Sequence, residues 1–179
     1  MRSMRGVTLI ELLVVLAIAG MLAAMVIPSY RVLVQNSQLQ AQRDGLVSAL
    51  RYARSTALNQ NVATEVCPFG SASSTACGGN WANGWIVVLN PNGTPATPAT
   101  ALLQSVQNTV ANGPSISSPN GVAAVGFSPV GLAPTPAEFV ICDSRGGSFA
   151  YSVQVQSTGF VEVGTTQGVA VWGGAISCP

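Results

Sequence analysis

The amino-acid sequence predicts an α+β protein in which one long N-terminal helix packs against an antiparallel β-rich head. Two observations predict this fold class. Residues 7–60 follow the apolar spacing of a helix, whereas residues 61–179 break into short β-rich runs divided by Gly, Pro, Asn and Ser. The 179 residues, 48% of them hydrophobic, suit one helical segment and one globular head.

The first predicted element is an apolar helix over residues 7–28. Arg2, Arg5 and Gly6 precede a largely apolar run through residue 27, in which Glu11 is the one charged residue. A helix of that length measures about 31 Å, which is enough to cross a bilayer core. An ordinary secretory signal has a shorter apolar region, and a carboxylate inside a membrane costs free energy unless a partner compensates it. We therefore predict a transmembrane helix in which a partner compensates the carboxylate of Glu11.

Two residues weaken this predicted helix. Pro28 removes a backbone hydrogen bond and clashes with the preceding turn, and Gly20 has a low helix propensity. The sequence predicts a kink at Gly20 and Pro28. The alternative is that Pro28 simply marks the end of the membrane helix.

Residues 29–60 are predicted to form the amphipathic second half of the same helix. Its apolar stripe consists of Leu39, Leu46, Leu50, Ala53 and Ala57, widened by Val47, Tyr52 and Leu58. We expect this stripe to pack on a sheet of the head. Arg43, Arg51 and Arg54 lie between polar residues on the remaining face, and we interpret them as a solvated or subunit-facing surface.

The head, residues 61–179, is predicted to form one or two small antiparallel sheets. The candidate strands are Val62–Val66, Gly84–Leu89, Leu102–Val106, Val122–Phe127, Glu138–Cys142, Phe149–Val155 and Phe160–Val163. Residues 94–100 and 111–121 are predicted to be irregular loops, because Pro, Gly, Asn and Ser or Thr dominate them.

Four cysteines in a segment that is expected to be exported predict two disulfides. Cys67 and Cys77 flank a Gly/Ser-rich loop, whereas Cys142 ends a candidate strand and Cys178 lies in the tail. Of the three possible pairings, we predict Cys67–Cys77 and Cys142–Cys178.

The composition excludes most classes of enzyme. The chain has no His and no Lys, so it cannot form a Ser-His-Asp triad, a His-ligated zinc site or a Schiff-base lysine. Its six carboxylates are scattered: Glu11, Asp44, Glu65, Glu138, Asp143 and Glu162. None of their spacings indicates a glycosidase pair or a calcium loop. We expect no enzyme activity, and therefore no catalytic residues, no metal site and no cofactor.

The N-terminal pattern resembles that of type IV pilins and type II secretion pseudopilins. The resemblance rests on the short basic leader, Gly6, the sequence Thr-Leu-Ile-Glu at residues 8–11 and the long apolar run. It implies that a prepilin peptidase removes residues 1–6 by cutting after Gly6 and then methylates the new N-terminus, Val7. It also implies that Glu11 pairs with the α-amino group of a neighbouring subunit during assembly.

Motifs further along the chain are similar to those of the GspH/FimT group of minor pilins and pseudopilins. They are Ala-Arg-Ser at residues 53–55, Gly-Trp-Ile-Val at residues 84–87 and Phe-Val-Ile-Cys-Asp at residues 139–143. This resemblance implies a pilin-like fold, with other minor and major pilins or pseudopilins as filament partners. Because Arg2 and Arg5 are expected to stay in the cytoplasm, the protein is predicted to sit in the bacterial inner membrane before assembly, with its head in the periplasm.

Three functions follow from the resemblance. The first is a minor pilin that initiates or caps a type IV pilus at its tip, and the second is the minor pseudopilin H of a type II secretion system. The third is a DNA-uptake pilin. From residue 60 onward the chain has one arginine and four carboxylates, a net charge of −3. DNA binding requires several cationic phosphate contacts. DNA binders of this group carry a motif of the Gly-Arg-Val-Arg kind, whereas residues 159–162 read Gly-Phe-Val-Glu. We expect no nucleic acid partner.

Overall fold

The computed structural model describes residues 8–71, 75–90, 101–109 and 113–179, except for the side chains of residues 23 and 25–28. The chain divides into two compact units, Met1–Ser37 and Gln38–Pro179. One helix, α1, covers Leu9–Gln60 and therefore contributes to both units.

The start and the end of α1 follow from local side-chain chemistry. The Glu11 backbone N–H donates to Thr8 Oγ1 at 3.3 Å, and the Leu12 N–H donates to the Thr8 carbonyl at 3.2 Å. Thr8 is therefore the N-cap residue, and the Thr-x-x-Glu spacing matches a capping box. Beyond the C-terminus, Asn61 adopts a φ of 54°, a left-handed conformation that Asn tolerates and that commonly ends helices.

The helix is continuous through Gly20 and Pro28. Its continuity to Gln60 agrees with a single long helix and does not test whether Pro28 marks the end of the membrane part. The kink at these two residues stays a prediction.

In the first unit α1 exposes a long series of apolar side chains. The large ones are Leu9, Ile10, Leu12, Leu13, Val14, Val15, Leu16, Ile18, Met21, Leu22, Tyr30, Val32 and Leu33. Within the described part of the chain we find no helix whose length and apolar character would let it span a membrane. The transmembrane assignment of residues 7–28 also involves residue 7 and the side chains of residues 23 and 25–28, which lie outside the description, and it stays a prediction.

The second unit contains two four-stranded sheets in which every neighbouring pair is antiparallel. The first sheet has the order β3-β2-β1-β5, and the second has the order β4-β6-β7-β8. Their strands are β1 (Thr64–Pro68), β2 (Gly84–Leu89), β3 (Ala101–Gln107), β4 (Ser115–Ser117), β5 (Val125–Phe127), β6 (Ala137–Cys142), β7 (Tyr151–Val155) and β8 (Val161–Val163). The α+β class, with a helix packed on antiparallel sheets, is confirmed.

One core joins the second part of α1 to both sheets. The predicted stripe of Leu39, Leu46, Leu50, Ala53 and Ala57 is fully buried, together with Val66, Trp85, Phe127, Phe139 and Val153 from the strands. Gly45 allows this close packing, because a Cβ there would lie only 3.2 Å from the Trp85 indole. The two sheets therefore cover the stripe.

Two residues assigned to the stripe are exposed. Tyr52 is 44% exposed and Leu58 is 49% exposed. At 3.6 residues per turn, Tyr52 lies about 200° around the helix from Leu50, and Leu58 lies about 80° away, at the margin of the stripe. Including them was wrong, whereas Val47 is buried as predicted.

The strand predictions differ from the structure mainly at their ends. β2 has the predicted bounds, while β1, β3 and β5 to β8 differ by a few residues. The structure also contains β4, inside the segment that was predicted to be irregular. β4 is only three residues long and is held by pairing with β6, in which Ile116 lies opposite Ile141.

Each sheet carries a small apolar cluster that is separate from the main core, and each of these clusters contains a disulfide. Cys67 bonds to Cys77 beside Phe69, Ile86, Val88 and Ala124. Cys142 bonds to Cys178 beside Val140, Ala150, Ala170 and Ile176. Both pairings are those predicted from the sequence.

Candidate functional site

The first candidate site is the start of α1, where Glu11 lies on the first helical turn. Its side chain is exposed, and none of the described residues forms an ion pair with it. The capping of α1 by Thr8 fixes its place, and the positive end of the helix dipole favours a carboxylate there. Gly6 and Val7, the predicted cleavage and methylation residues, lie outside the described residues. The Thr-x-x-Glu capping pattern could have been recognised in the sequence, independently of the resemblance to pilins.

Two helix arginines that were interpreted as surface residues instead contact the head. The Arg54 guanidinium donates to the carbonyls of Gly131 at 3.0 Å and Thr158 at 3.2 Å. The Arg43 guanidinium lies 4.5 Å from the centre of the Tyr151 ring and is paired with Asp44 at 2.8 Å. Since hydrogen bonds from charged donors are the strong ones, these contacts position the helix. The interpretation as a solvated surface was therefore wrong for both residues, while a subunit-facing role stays a prediction.

The one arginine after residue 60 is neutralised within the head. Arg145 Nε and Nη2 lie 2.9 Å and 2.6 Å from Asp143 Oδ2, and the guanidinium lies 4.5 Å from the centre of the Phe149 ring. The side chains of Arg145 and Asp143 are only 14% and 5% exposed. Arg145 therefore stabilises a loop beside the Cys142–Cys178 disulfide and presents little charge to a ligand.

A groove beside residues 159–161 is lined by arginine side chains from α1. The sequence of residues 159–162 alone did not indicate them. Arg51 and Arg54 of α1 line it together with Gly159 and Phe160, and its volume is about 390 Å³. Phe160 is 54% exposed. The helix therefore brings basic side chains to the segment whose own sequence lacks them.

Glu65, the second residue of β1, is the charged residue most deeply buried in the described part of the head. It is 4% exposed, and its Oε2 accepts a hydrogen bond from Asn90 Nδ2 at 2.5 Å. Burial raises the pKa of Glu65, and the hydrogen bond from Asn90 opposes that change only in part. The sequence signal for this site is a carboxylate inside a candidate β-strand, between Thr64 and Val66.

Metal-binding chemistry finds no support in the described residues. No group of three or more His, Cys, Asp or Glu side chains there could hold a metal ion. All four cysteines are engaged in disulfides, so they are not available as thiolate ligands.

Two family models match the sequence. Residues 1–27 match the prokaryotic N-terminal methylation motif, and residues 42–159 match the family described as type II transport protein GspH. A capped N-terminal helix that carries this motif and packs on an antiparallel β head defines a pilin-type structural protein. The chain belongs to the GspH family, since that match covers more than half of it.

The fold is similar to that of a type IV minor pilin, FimU of Pseudomonas aeruginosa strain PAO1, which is known in two crystal forms. One form is 22% identical with a TM-score of 0.55, and the alignment covers 71% of this chain and 88% of FimU. The other is 20% identical with a TM-score of 0.52, covering 70% and 91%. This likeness shows the pilin fold.

Proposed function

We propose that the protein is a minor pilin that initiates or caps type IV pilus assembly at the filament tip, without catalysis. The observation that carries the proposal is the start of α1. A series of exposed apolar side chains contains one carboxylate, Glu11, and no described residue pairs with it. The fold likeness to a minor pilin supports the pilus over other filaments.

In this function the N-terminal segment acts in two stages. A prepilin peptidase cuts after Gly6 and methylates Val7, while residues 7–28 hold the protein in the inner membrane with the head in the periplasm. Assembly then transfers the exposed apolar surface into a filament of other pilins. An ionised carboxylate surrounded by apolar groups requires a paired charge, and the α-amino group of a neighbouring subunit supplies it to Glu11.

The test compares two amide substitutions on the same helix. Glu11→Gln removes the assembly charge, and Asp44→Asn removes an exposed carboxylate from the second unit. In the native host we expect Glu11→Gln to be processed normally but to be lost from purified filaments, while Asp44→Asn is incorporated like the wild type. Intact-mass spectrometry should find Val7 as the mature N-terminus. Normal incorporation of Glu11→Gln, or a mature chain that starts elsewhere, contradicts the proposal.

The alternative function is the minor pseudopilin H of a type II secretion system. The description of the matched family, a type II transport protein, favours it. Deleting the gene distinguishes the two functions. A minor pilin is required for surface pili, whereas a minor pseudopilin is required for secretion of exoproteins.

A DNA-uptake pilin is supported by one observation, the groove that Arg51 lines beside exposed Phe160. Cationic and aromatic side chains together suit nucleic acid. A gel shift of duplex DNA that weakens with salt and disappears in Arg51→Ala would favour this function. An Arg145→Ala variant is the matched control, since Arg145 is held by Asp143.

A further inference from the structure

A cavity beside the first sheet contains a charged group that the proposed function does not use. Its volume is about 220 Å³, and it lies between strands β1 and β5 and the segment from residue 128 to residue 135. Glu65 and Asn90 line it on the polar side, and Phe127, Pro129 and Pro134 contribute apolar surface. Pro134 and Thr135 are exposed, so the cavity reaches the protein surface.

Only one of the two carboxylate oxygens of Glu65 has a hydrogen-bond donor among the described residues. Asn90 donates to Oε2, but no described residue donates to Oε1, which is buried. Glu65 is also the one titratable residue among the described residues that line the cavity. A buried carboxylate with one oxygen unsatisfied is costly and is stabilised by a cation or a strong donor.

We propose that this cavity binds the alkylammonium group of a lysine side chain. An ammonium is a compact charge that one oxygen can accept, whereas a guanidinium fork prefers two free carboxylate oxygens. With Oε2 held by Asn90, the cavity offers one free oxygen. The apolar surface of Phe127, Pro129 and Pro134 suits the methylene groups of the same side chain.

The lysine must come from another protein, because this chain contains no lysine. A second copy of the chain therefore cannot supply it, and the site selects a different polypeptide. This step rests on the proposed function, since a minor pilin contacts other subunits of its filament. The cavity would then contribute to the choice of a lysine-bearing neighbour.

The first experiment uses the full chain in detergent micelles, with n-butylammonium as the probe and 1-butanol as the uncharged control. NMR of the backbone amides should show saturable shifts at Gly126 and Thr135, with a dissociation constant on the order of 10 mM, as suits a ligand of so few atoms. Butanol should not produce them. Glu65→Gln should weaken the binding by at least about tenfold, whereas the matched variant Glu162→Gln should leave it unchanged. The Gln side chain keeps the size of Glu and an acceptor for Asn90, so the variant is expected to fold.

The proposal is overturned if butylammonium gives no saturable shift, or if Glu65→Gln binds it as the wild type does. A second experiment identifies the source of the lysine. Carbodiimide treatment of assembled filaments should join Glu65 to a lysine of another subunit through an amide bond, with loss of water. A cross-link to a non-pilin protein instead would contradict the filament partner. Binding of butylammonium by a chain that is absent from filaments would refute the proposed function and leave the lysine site intact.

Discussion

The first part of α1 is more apolar than the second, yet its apolar side chains are exposed while those of the second part are buried. Leu13 and Leu16, in the first unit, are 55% and 59% exposed, whereas Leu46 and Leu50, in the second, are fully buried. The second part is covered by the two sheets of the head, while no described residue of the first unit covers these leucines of the first part. Large exposed apolar surfaces indicate an interaction with another protein or with lipid. The comparison therefore separates residues that stabilise the head from residues whose apolar side chains are available for an interaction outside it.

The difference is already visible in how the apolar residues are distributed around the helix. From residue 12 to residue 18 the helix is apolar on every side, whereas residues 38–60 alternate an apolar stripe with Gln, Ser and Arg. A helix that is apolar all round is typical of segments buried in a larger assembly or a membrane. A striped helix needs cover on one face only, and its own sheets provide it.

The largest effect is expected from truncating one leucine in each part of α1. Leu50→Ala removes a fully buried side chain from the core and should lower the free energy of unfolding by up to about 5 kcal/mol. Leu16→Ala, at an exposed position, should change it by less than about 0.5 kcal/mol. Urea unfolding followed by tryptophan fluorescence reports on the head, because all three tryptophans lie after residue 80. Equal changes in the free energy of unfolding would contradict the difference in burial between the two parts.

The second prediction concerns the disulfides, which lie only in the second unit. Replacing Cys142 and Cys178 by Ser should lower the stability of the head by about 3.8 kcal/mol, because the loop between them spans 36 residues. The same change at Cys67 and Cys77, which are 10 residues apart, should lower it by about 2.7 kcal/mol. Urea midpoints of the two double variants test this order. The reverse order would show that loop length does not govern their contributions.

The third prediction tests the first unit alone. Thr8→Ala removes the side-chain cap of α1 and should destabilise its first turn by about 1 kcal/mol. Amide hydrogen exchange should become faster at residues 9–12, while the unfolding of the head stays the same. Thr8→Ser, which keeps the capping oxygen, is the matched control. A loss of head stability in Thr8→Ala would show that the two units unfold together.

The smallest effect is expected at Glu65, the buried charge of the second unit. Burial raises the pKa of its carboxyl above the ordinary value of 4.5, so the folded state holds this proton more tightly than the unfolded state does. This contribution to stability is complete below pH 4.5 and is lost as the pH rises toward the raised pKa. The stability of Glu65→Gln relative to the wild type should therefore increase as the pH rises from 4.5 through the raised pKa. A difference that is independent of pH would contradict the raised pKa.

The features that could be predicted from the sequence are those set by local pattern. The stripe from Leu39 to Ala57 follows the helical period, and β2 is an apolar run bounded by Gly84 and Asn90. The helical period and the apolar run are both properties of residues close together in the sequence. They can therefore be recognised without knowing which surface covers them. The cysteines could be paired because few combinations exist and one pair flanks a short loop.

The features that sequence reasoning missed depend on residues far apart in the chain. Glu65 meets Asn90 after 25 residues, and Arg54 meets Gly131 after 77 residues. Strand β4 has little local signal and exists because β6 pairs with it. In each case a hydrogen bond between distant residues decides the structure, and the local sequence does not identify the partner.

The order of the cysteines along the chain has a consequence for the time course of oxidation. A chain emerges N-terminal side first, at roughly 5–20 residues per second during synthesis, so Cys67 and Cys77 are available together several seconds before Cys142 appears. At that moment the only partner for Cys67 is the one it has in the folded head. Once that bond has closed, Cys142 and Cys178 are the last free thiols and can only join each other. If the first bond closes before Cys142 appears, the two alternative pairings are excluded and the head acquires its native bonds without reshuffling.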